Sequence, residues 1–89
     1  MNLKSAREEI ENIDIQIIGL IKKRQDCALL IHNAKKEGNV SVRDEKQREA
    51  VLKRAYERAE KEGLSPEMTT EIFRILIEMN EKKQNDLEN

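Results

Sequence analysis

Aromatic and metal-ligating side chains are scarce in this sequence. Its 89 residues include one Phe, one Tyr and no Trp, together with a single Cys and a single His. The missing aromatics exclude the stacking platforms of proteins that bind single-stranded nucleic acid. One His and one Cys cannot build a zinc site, and the lone cysteine excludes an intrachain disulfide and favours a reducing compartment. The sequence also lacks a phosphate-binding glycine loop and Ser-His-Asp material, so we expect no cofactor, no metal and no covalent nucleophile.

Neither sign of charge dominates the chain. Seventeen basic residues face eighteen acidic ones, for a net charge of −1, and the signs are mixed along the chain, so no basic stripe is available to bind nucleic acid. No apolar run reaches the length of a membrane span, and the N-terminus lacks a signal-peptide core, so we expect a cytoplasmic protein without membrane contacts. A length of 89 residues predicts a single domain. Charged residues at 39% and hydrophobic residues at 37% predict a thin aliphatic core, typical of helical bundles that share apolar surface between chains.

The first third of the chain carries an apolar ladder that predicts one long helix, from Leu3 to about Lys35. The steps alternate between three and four residues, as along a coiled coil. This apolar seam comprises Leu3, Ala6, Ile10, Ile13, Ile17, Leu20, Cys27, Ile31 and Ala34, and Arg24 takes the expected apolar position between Leu20 and Cys27. About 31 helical residues would span roughly 47 Å, whereas a compact chain of this length has a radius of gyration of about 12 Å. We therefore expect a second copy to cover the seam and to cross near Gly19, where a glycine lets two backbones approach.

Two shorter helices follow the long one. The first helix should end near Lys35 or Lys36 with Gly38 as its C-cap, and the second should begin after an N-cap at Asp44 or Ser41. The second helix is expected to run to about residue 62 and to bury Val51, Leu52, Ala55 and Ala59. Together with a third helix that begins at Pro66, this predicts an all-α fold of three helices, one long and two shorter, in an intertwined antiparallel dimer.

The clearest turn in the sequence is Gly63-Leu64-Ser65-Pro66. Gly63 is expected to end the second helix, Ser65 to cap the third, and Pro66 to take its first position. The third helix should run to about Asp86. Its expected core residues are Met68, Ile72, Phe73, Leu76, Ile77 and Met79. On the first helix, Cys27 is expected in the core and His32, which lies off the seam, on the surface.

Five polar side chains occupy inward positions where the helical patterns call for apolar residues: Arg24, Lys35, Arg48, Asn80 and Gln84. Burying unpaired charge is costly, so five such residues on three helices indicate an anionic ligand with several carboxylates. Arg24 and Lys35 share nearly one azimuth at about 16 Å, with Ala28 and Ile31 as a shallow floor between them.

A further cation, Arg7, lies roughly 25 Å along the helix from Arg24 and cannot join this group within its own chain. In an antiparallel dimer that crosses near Gly19, the partner subunit's Arg7 falls opposite about residue 31. It would then lie over the gap between Arg24 and Lys35. This arrangement predicts two equivalent sites, each completed by the other subunit.

At these residues the sequence resembles the all-helical (AroQ-type) chorismate mutases, and within them the small monofunctional archaeal-like members. The matching motifs lie at fixed spacing over almost the whole chain: Arg7-Glu-Glu-Ile-x-x-Ile-Asp14, Ile-x-x-Arg24, Ala34-Lys35, Val42-x-Asp44, Val51-Leu52-x-Arg54, and Ile72-Phe73-x-x-Leu76-Ile77-Glu78-x-Asn80-x-x-x-Gln84. The resemblance implies that residues 1–89 form a single chorismate mutase type II domain. It also implies a homodimer that converts chorismate, a dianion, into prephenate on the route to phenylalanine and tyrosine.

The resemblance also implies roles for the inward residues. Arg24 and the partner subunit's Arg7 would hold the substrate carboxylates, while Lys35 and Gln84 would reach the ether oxygen of the breaking C–O bond. Asp44 and the start of the second helix would lie near the ring hydroxyl. Asn80 would occupy a substrate-binding position that is often serine in the family.

One departure from the family pattern concerns the second helix. The family often has Arg-Glu at the third and fourth positions after the helix-2 aspartate, and here those positions are Gln47-Arg48. The inward azimuth favours Arg48 as the site residue, with Glu49 as the alternative. Two other functions remain open. One is an isochorismate pyruvate lyase-like activity on a similar substrate, and the other is a non-catalytic helical dimerisation module.

Overall fold

The computed structural model describes residues 2–38 and 45–88, with side chains described up to residue 87. Within these ranges the chain forms three helices and no strand: α1 (Leu3–Glu37), α2 (Glu45–Lys61) and α3 (Pro66–Glu88). The prediction of an all-α chain with one long and two shorter helices is therefore confirmed for the part of the chain that the structure describes. The predicted connection at 39–42, and the N-cap at Asp44 or Ser41, lie outside the described residues.

Both ends of α1 are capped by residues that lie next to the helix in the sequence. Asn2 caps α1, since its side chain accepts a hydrogen bond of 2.8 Å from the backbone N–H of Ser5. The helix ends at Glu37, one or two residues beyond the predicted end, and the N–H of its C-cap Gly38 donates to the carbonyl of Ala34. These bonds satisfy backbone groups that a helix end leaves without partners.

The turn between α2 and α3 has the geometry that its sequence predicts. Gly63 adopts a φ of 72°, the left-handed conformation that glycine adopts without strain. The N–H of Leu64 donates to the carbonyl of Ala59 at 2.9 Å and that of Gly63 to Glu60 at 3.2 Å, which together form a Schellman motif. The Ser65 hydroxyl then accepts from the N–H of residue 68 at 3.2 Å and caps α3. This turn brings α3 back along α2.

α3 packs mainly against α2 and less extensively against α1. Val51, Ala55 and Ala59 are buried on α2, as predicted, and Leu52 is half-buried. Residues 7–20 of α1 are all exposed, so α1 extends as an arm beyond the other two helices. The described part of the chain measures 55 × 26 × 17 Å and has a radius of gyration of 16.2 Å, well above the value of about 12 Å for a compact chain.

The covered face of α1 is rotated away from the predicted seam. Its own chain covers Ile21, Gln25, Leu29 and His32 wholly or in part. Seam residues at the same level, Cys27, Ile31 and Ala34, are exposed. At 100° per residue His32 lies about 80° around the helix from Arg24 on one side, and Cys27 lies about 60° on the other. The other helices thus contact the flank of the seam and leave the seam itself open.

Several burial predictions are corrected by this packing. His32 was expected at the surface, but its side chain is only 5% exposed, because α1 is covered on that flank. Cys27 was expected in the core and is exposed. On α3, Phe73, Leu76 and Ile77 are half-buried as expected, whereas three predicted core residues are exposed in the single chain. These are Met68, Ile72 and Met79.

Charged residues recur along all three helices, and in the described ranges none of these helices is long and apolar enough to cross a lipid bilayer.

Candidate active site

A cavity of about 460 Å³ lies where the C-terminal third of α1 meets α2 and α3. Its volume is within the range of small-molecule sites, about 300–1,000 Å³. The five inward polar side chains singled out from the sequence all line it. The lining residues are Arg24, Cys27, Ala28, Ile31, His32, Lys35, Glu45, Gln47, Arg48, Val51, Arg54, Ile77, Asn80, Glu81, Gln84 and Asn85.

α1 contributes one wall, and its residues follow the predicted arrangement. Arg24 and Lys35 line the two ends of this wall, with Ala28 and Ile31 between them. Eleven residues of helix correspond to almost three turns, so the two cations share a face. A small apolar floor between two cations suits a ligand that has an apolar body and anionic ends.

Arg24 is the cation that the fold constrains most clearly. Its side chain is half-buried, and its Nη1 atom is covered with no hydrogen-bond partner among the described residues. The guanidinium lies over the ring of Phe73 on α3, 5.9 Å from the ring centroid. Burial, and then the like charge of Arg54, lower the pKa of Arg24 below its usual value. A covered donor without a partner is a position that an anionic ligand would satisfy.

Arg48 lines the cavity from α2, as its inward azimuth predicts, but it already has a partner. Its Nη1 donates to Oε1 of Glu81 on α3 at 3.1 Å. The Arg48 side chain is 24% exposed and that of Glu81 is 47% exposed, so the ion pair is partly shielded from water. Glu49, the alternative to Arg48, is exposed and does not line the cavity.

α3 places two amides in the cavity, one turn apart. Asn80 and Gln84 are both half-buried at positions that follow the apolar stripe from Phe73 and Ile77. The Oδ1 atom of Asn80 is covered and has no hydrogen-bond partner among the described residues. The cavity therefore offers neutral donors and acceptors opposite its cations.

One predicted site residue, Arg7, does not line this cavity. Arg7 lies on the exposed arm of α1, far from Arg24 along the same helix, in agreement with the prediction that it cannot join within its own chain. Asp44 lies outside the described residues. The roles assigned to both stay predictions.

Sequence reasoning missed several polar lining residues. Arg54 lies six residues after Arg48, and the interval of three from the buried Val51 could have indicated it. Glu81 follows Asn80 and has no apolar pattern to mark it. His32 was missed because the apolar seam does not show which flank of α1 the other two helices cover. The other polar lining residues not anticipated are Glu45, Gln47 and Asn85.

The charges around the cavity favour an anion. Four cationic side chains line it, from Arg24, Lys35, Arg48 and Arg54, against two carboxylates, from Glu45 and Glu81. No group of three or more His, Cys, Asp or Glu side chains that could hold a metal ion occurs within residues 2–38 and 45–88. The chemistry available from the described side chains is binding, orientation and electrostatic stabilisation of a small dianion.

Comparison with known proteins agrees with this chemistry. A family model described as chorismate mutase type II matches residues 6–85, which is most of the chain. The chain belongs to the chorismate mutase type II family. The resemblance inferred from the motifs is thus confirmed at the level of this family.

Two relatives in this comparison are larger proteins. The bifunctional chorismate mutase/prephenate dehydratase of Buchnera aphidicola subsp. Acyrthosiphon pisum (strain APS) is 31% identical over 81 residues, which are 91% of this chain and 21% of the relative. The protein of the same description from Buchnera aphidicola subsp. Schizaphis graminum (strain Sg) is 32% identical over 88 residues, 99% of this chain and 23% of the relative. The chain therefore spans about a fifth to a quarter of the length of these relatives.

Proposed function

We propose that this protein is a chorismate mutase, an isomerase that converts chorismate into prephenate on the route to phenylalanine and tyrosine. The observation that carries the proposal is the convergence of Arg24, Lys35, Arg48, Asn80 and Gln84 on one cavity. Membership of the chorismate mutase type II family adds independent support. Chorismate carries one carboxylate on its ring and a second on its enolpyruvyl side chain, and this matches a cavity with an excess of cations around an apolar floor.

The reaction is a unimolecular pericyclic rearrangement, so it needs no nucleophile, no metal and no cofactor. Arg24, whose covered Nη1 has no hydrogen-bond partner among the described residues, binds one substrate carboxylate. Lys35 and Gln84 donate to the ether oxygen, where negative charge grows as the C–O bond breaks. Holding the flexible dianion in its folded conformer supplies the remaining acceleration. Asn80 binds substrate at the α3 wall, and Asp44 lies near the ring hydroxyl.

The functional unit of this proposal is an intertwined antiparallel homodimer in which the partner subunit's Arg7 completes each site. The exposed arm of α1 supports it, because Ile10, Ile13, Ile17 and Leu20 are exposed large apolar side chains in the part of the chain that the structure describes. A second open apolar face runs along α3 through Met68, Ile72, Ile75 and Met79. Apolar area of this extent on a chain of 89 residues is typical of a surface that a second subunit covers.

The remaining parts of the proposal concern the whole protein. They are a single type II domain over residues 1–89, the small archaeal-like monofunctional form, and a cytoplasmic location. The two relatives are described as bifunctional proteins, so a longer bifunctional chain is the alternative to a single-domain, monofunctional one. The mass of the protein isolated from its own source distinguishes a chain of 10.4 kDa from a longer polypeptide.

Incubation of the purified protein with chorismate tests the activity. Loss of the diene absorbance, together with prephenate as the product, is the expected result. Formation of salicylate and pyruvate from isochorismate, with no prephenate from chorismate, would assign the lyase activity instead. Absence of turnover on both substrates in a folded dimer would leave the non-catalytic dimerisation module.

A further inference from the structure

The α2 wall of the cavity presents a recognition problem for chorismate. The substrate ring carries a hydroxyl group, which is both a donor and an acceptor of hydrogen bonds. A buried hydroxyl whose proton has no acceptor costs free energy. Arg48 is the residue that α2 directs into the cavity at the fourth position after Asp44, and a guanidinium has five donors and no acceptor. Arg48 therefore cannot accept the proton of the hydroxyl.

The ion pair across the cavity supplies what Arg48 lacks. Glu81 lines the same cavity from α3, next to Asn80 and three residues before Gln84. Among the described residues only its Oε1 is engaged, by Arg48 at 3.1 Å. A carboxylate has about four acceptor positions on its two oxygens, so this bond leaves acceptor capacity on a side chain that lines the cavity.

We propose that Glu81 is the substrate-binding acceptor for the ring hydroxyl of chorismate, and that Arg48 is the positioning residue that holds its carboxylate in place. This assignment rests on the proposed function and names a further residue of the same site. The partly shielded ion pair limits the rotamers of Glu81 before the substrate binds, which lowers the entropic cost of recognition.

Three other carboxylates near the start of α2 compete for this role. Asp44 lies outside the described residues, and Glu49 is exposed and does not line the cavity. Glu45 lines it as the first residue of α2 and, like Glu81, is exposed. The observation that favours Glu81 is its ion pair with Arg48, which joins α2 and α3 at the cavity wall. Single substitutions separate the four carboxylates.

The experiment compares chorismate with an analogue in which hydrogen replaces the ring hydroxyl. Steady-state KM and kcat are measured for the natural protein and for Glu81→Ala, Asp44→Ala, Glu45→Ala and Glu49→Ala, with Glu78→Ala as the matched control. Glu78 is an exposed glutamate on α3, one turn before, that does not line the cavity. Far-ultraviolet circular dichroism establishes that each variant is folded. If Glu81→Ala does not fold, Glu81→Gln keeps the shape and replaces it in the comparison.

The expected result is a coupling between Glu81 and the hydroxyl. Glu81→Ala should raise KM for chorismate by roughly 10-fold to 100-fold, the range for a hydrogen bond to a charged group. Its KM for the deoxy analogue should stay within about twofold of the natural protein, because the interacting partner is already gone. Glu81→Gln, which retains a neutral acceptor, should give a smaller rise. The four other alanine variants should not change the ratio of KM for the deoxy analogue to KM for chorismate.

A charge exchange tests the positioning role of Arg48. Glu81→Arg alone should raise KM for chorismate, whereas Arg48→Glu combined with Glu81→Arg restores an ion pair and an acceptor on the cavity wall. The double variant should therefore recover most of the discrimination between chorismate and the deoxy analogue. Failure of the double variant to discriminate better than Glu81→Arg alone would overturn the positioning role.

The outcomes separate this inference from the function on which it rests. If Glu81 only neutralised Arg48, Glu81→Ala would free the guanidinium for a substrate carboxylate and lower KM equally for both substrates, which would overturn the inference alone. Transfer of the effect to Asp44→Ala, Glu45→Ala or Glu49→Ala would do the same. A natural protein that does not convert chorismate would overturn the proposed function and the inference together.

Discussion

The guanidinium of Arg24 on α1 lies over the ring of Phe73 on α3, 5.9 Å from the ring centroid. Phe73 is the only phenylalanine in the chain, and it contacts the cation at the wall of the cavity. A cation–π contact contributes about 0.5–1 kcal/mol when it is exposed and about 2 kcal/mol when it is desolvated. The relationship therefore connects the packing of two helices with the placement of a substrate-binding side chain.

Replacing this ring should weaken substrate binding. Phe73→Leu keeps an apolar side chain but removes the π face, so we expect kcat/KM for chorismate to fall by about 3-fold to 30-fold. Phe73→Tyr, which keeps the face, is the matched control and should remain close to the natural protein. Equal kcat/KM values for Phe73→Leu and the natural protein would show that the ring does not position Arg24.

Lys35 and Gln84 are expected to act in the transition state. Lys35→Ala and Gln84→Ala should each fold normally and lower kcat by about 10²–10³, the usual effect of removing one preorganised donor to a developing charge. Lys36→Ala changes an exposed neighbour that does not line the cavity and serves as control. Single-turnover rates with chorismate provide the measurement, and unchanged rates in either variant would contradict the role assigned to it.

Tyr56 provides a pH-dependent signal away from the cavity. The charge of Glu67, followed by burial and by the charge of Glu60, raises the pKa of Tyr56 above its usual value of 10.0, and the hydroxyl donates to Glu67 at 3.4 Å. A raised pKa means that the folded state favours the neutral phenol. This contribution to stability is present below pH 10.0 and is lost as the pH rises through the higher pKa of the folded state.

The chain has one tyrosine and no tryptophan, so its phenolate absorbance reports Tyr56 alone. We expect the spectrophotometric titration midpoint of the folded protein to lie above 10.0, and Glu67→Gln to lower it. Glu71→Gln, one turn further along α3 and paired with Arg74, should leave the midpoint unchanged. A midpoint that is insensitive to Glu67→Gln would show that the two side chains do not interact in solution.

Gly19 tests where two subunits cross. A Cβ at this position meets nothing within 4 Å among the described residues of the single chain, so Gly19→Ala should stabilise an isolated helix by about 1 kcal/mol. At a close crossing of two backbones the same methyl group should weaken the dimer. We expect light scattering to show more monomer in Gly19→Ala than in Asp14→Ala, a control about 140° around the helix. A dimer of unchanged or greater affinity would place the crossing elsewhere.

The helices and most of the cavity were predictable from the sequence because local patterns determine them. Gly63 and Ser65 mark the turn through backbone chemistry that depends on neighbouring residues alone. Arg24 and Gln84 could be assigned to the site because each interrupts a regular apolar stripe. Such interruptions identify inward polar groups without knowledge of what packs against them.

Contacts between helices were less predictable. The rotation of the covered face on α1 left Cys27 exposed and buried His32, since periodicity gives a face of a helix but not which neighbour covers which flank. The Arg48–Glu81 pair joins residues 33 positions apart, and no local pattern indicates it. Burial of the α1 seam likewise depends on a contact between helices, because the helix expected to cover it belongs to a second chain.

Complementation between subunits tests the central claim most directly. Arg7→Ala and Arg24→Ala should each abolish most activity, because each removes one carboxylate contact from both sites of the dimer. Coexpressed with different affinity tags and purified as the heterodimer, the two variants should form one site that has both arginines and one that has neither. We predict that this heterodimer converts chorismate at about half the rate of the natural dimer. A heterodimer no more active than either variant alone would contradict a cavity completed by the partner subunit's Arg7.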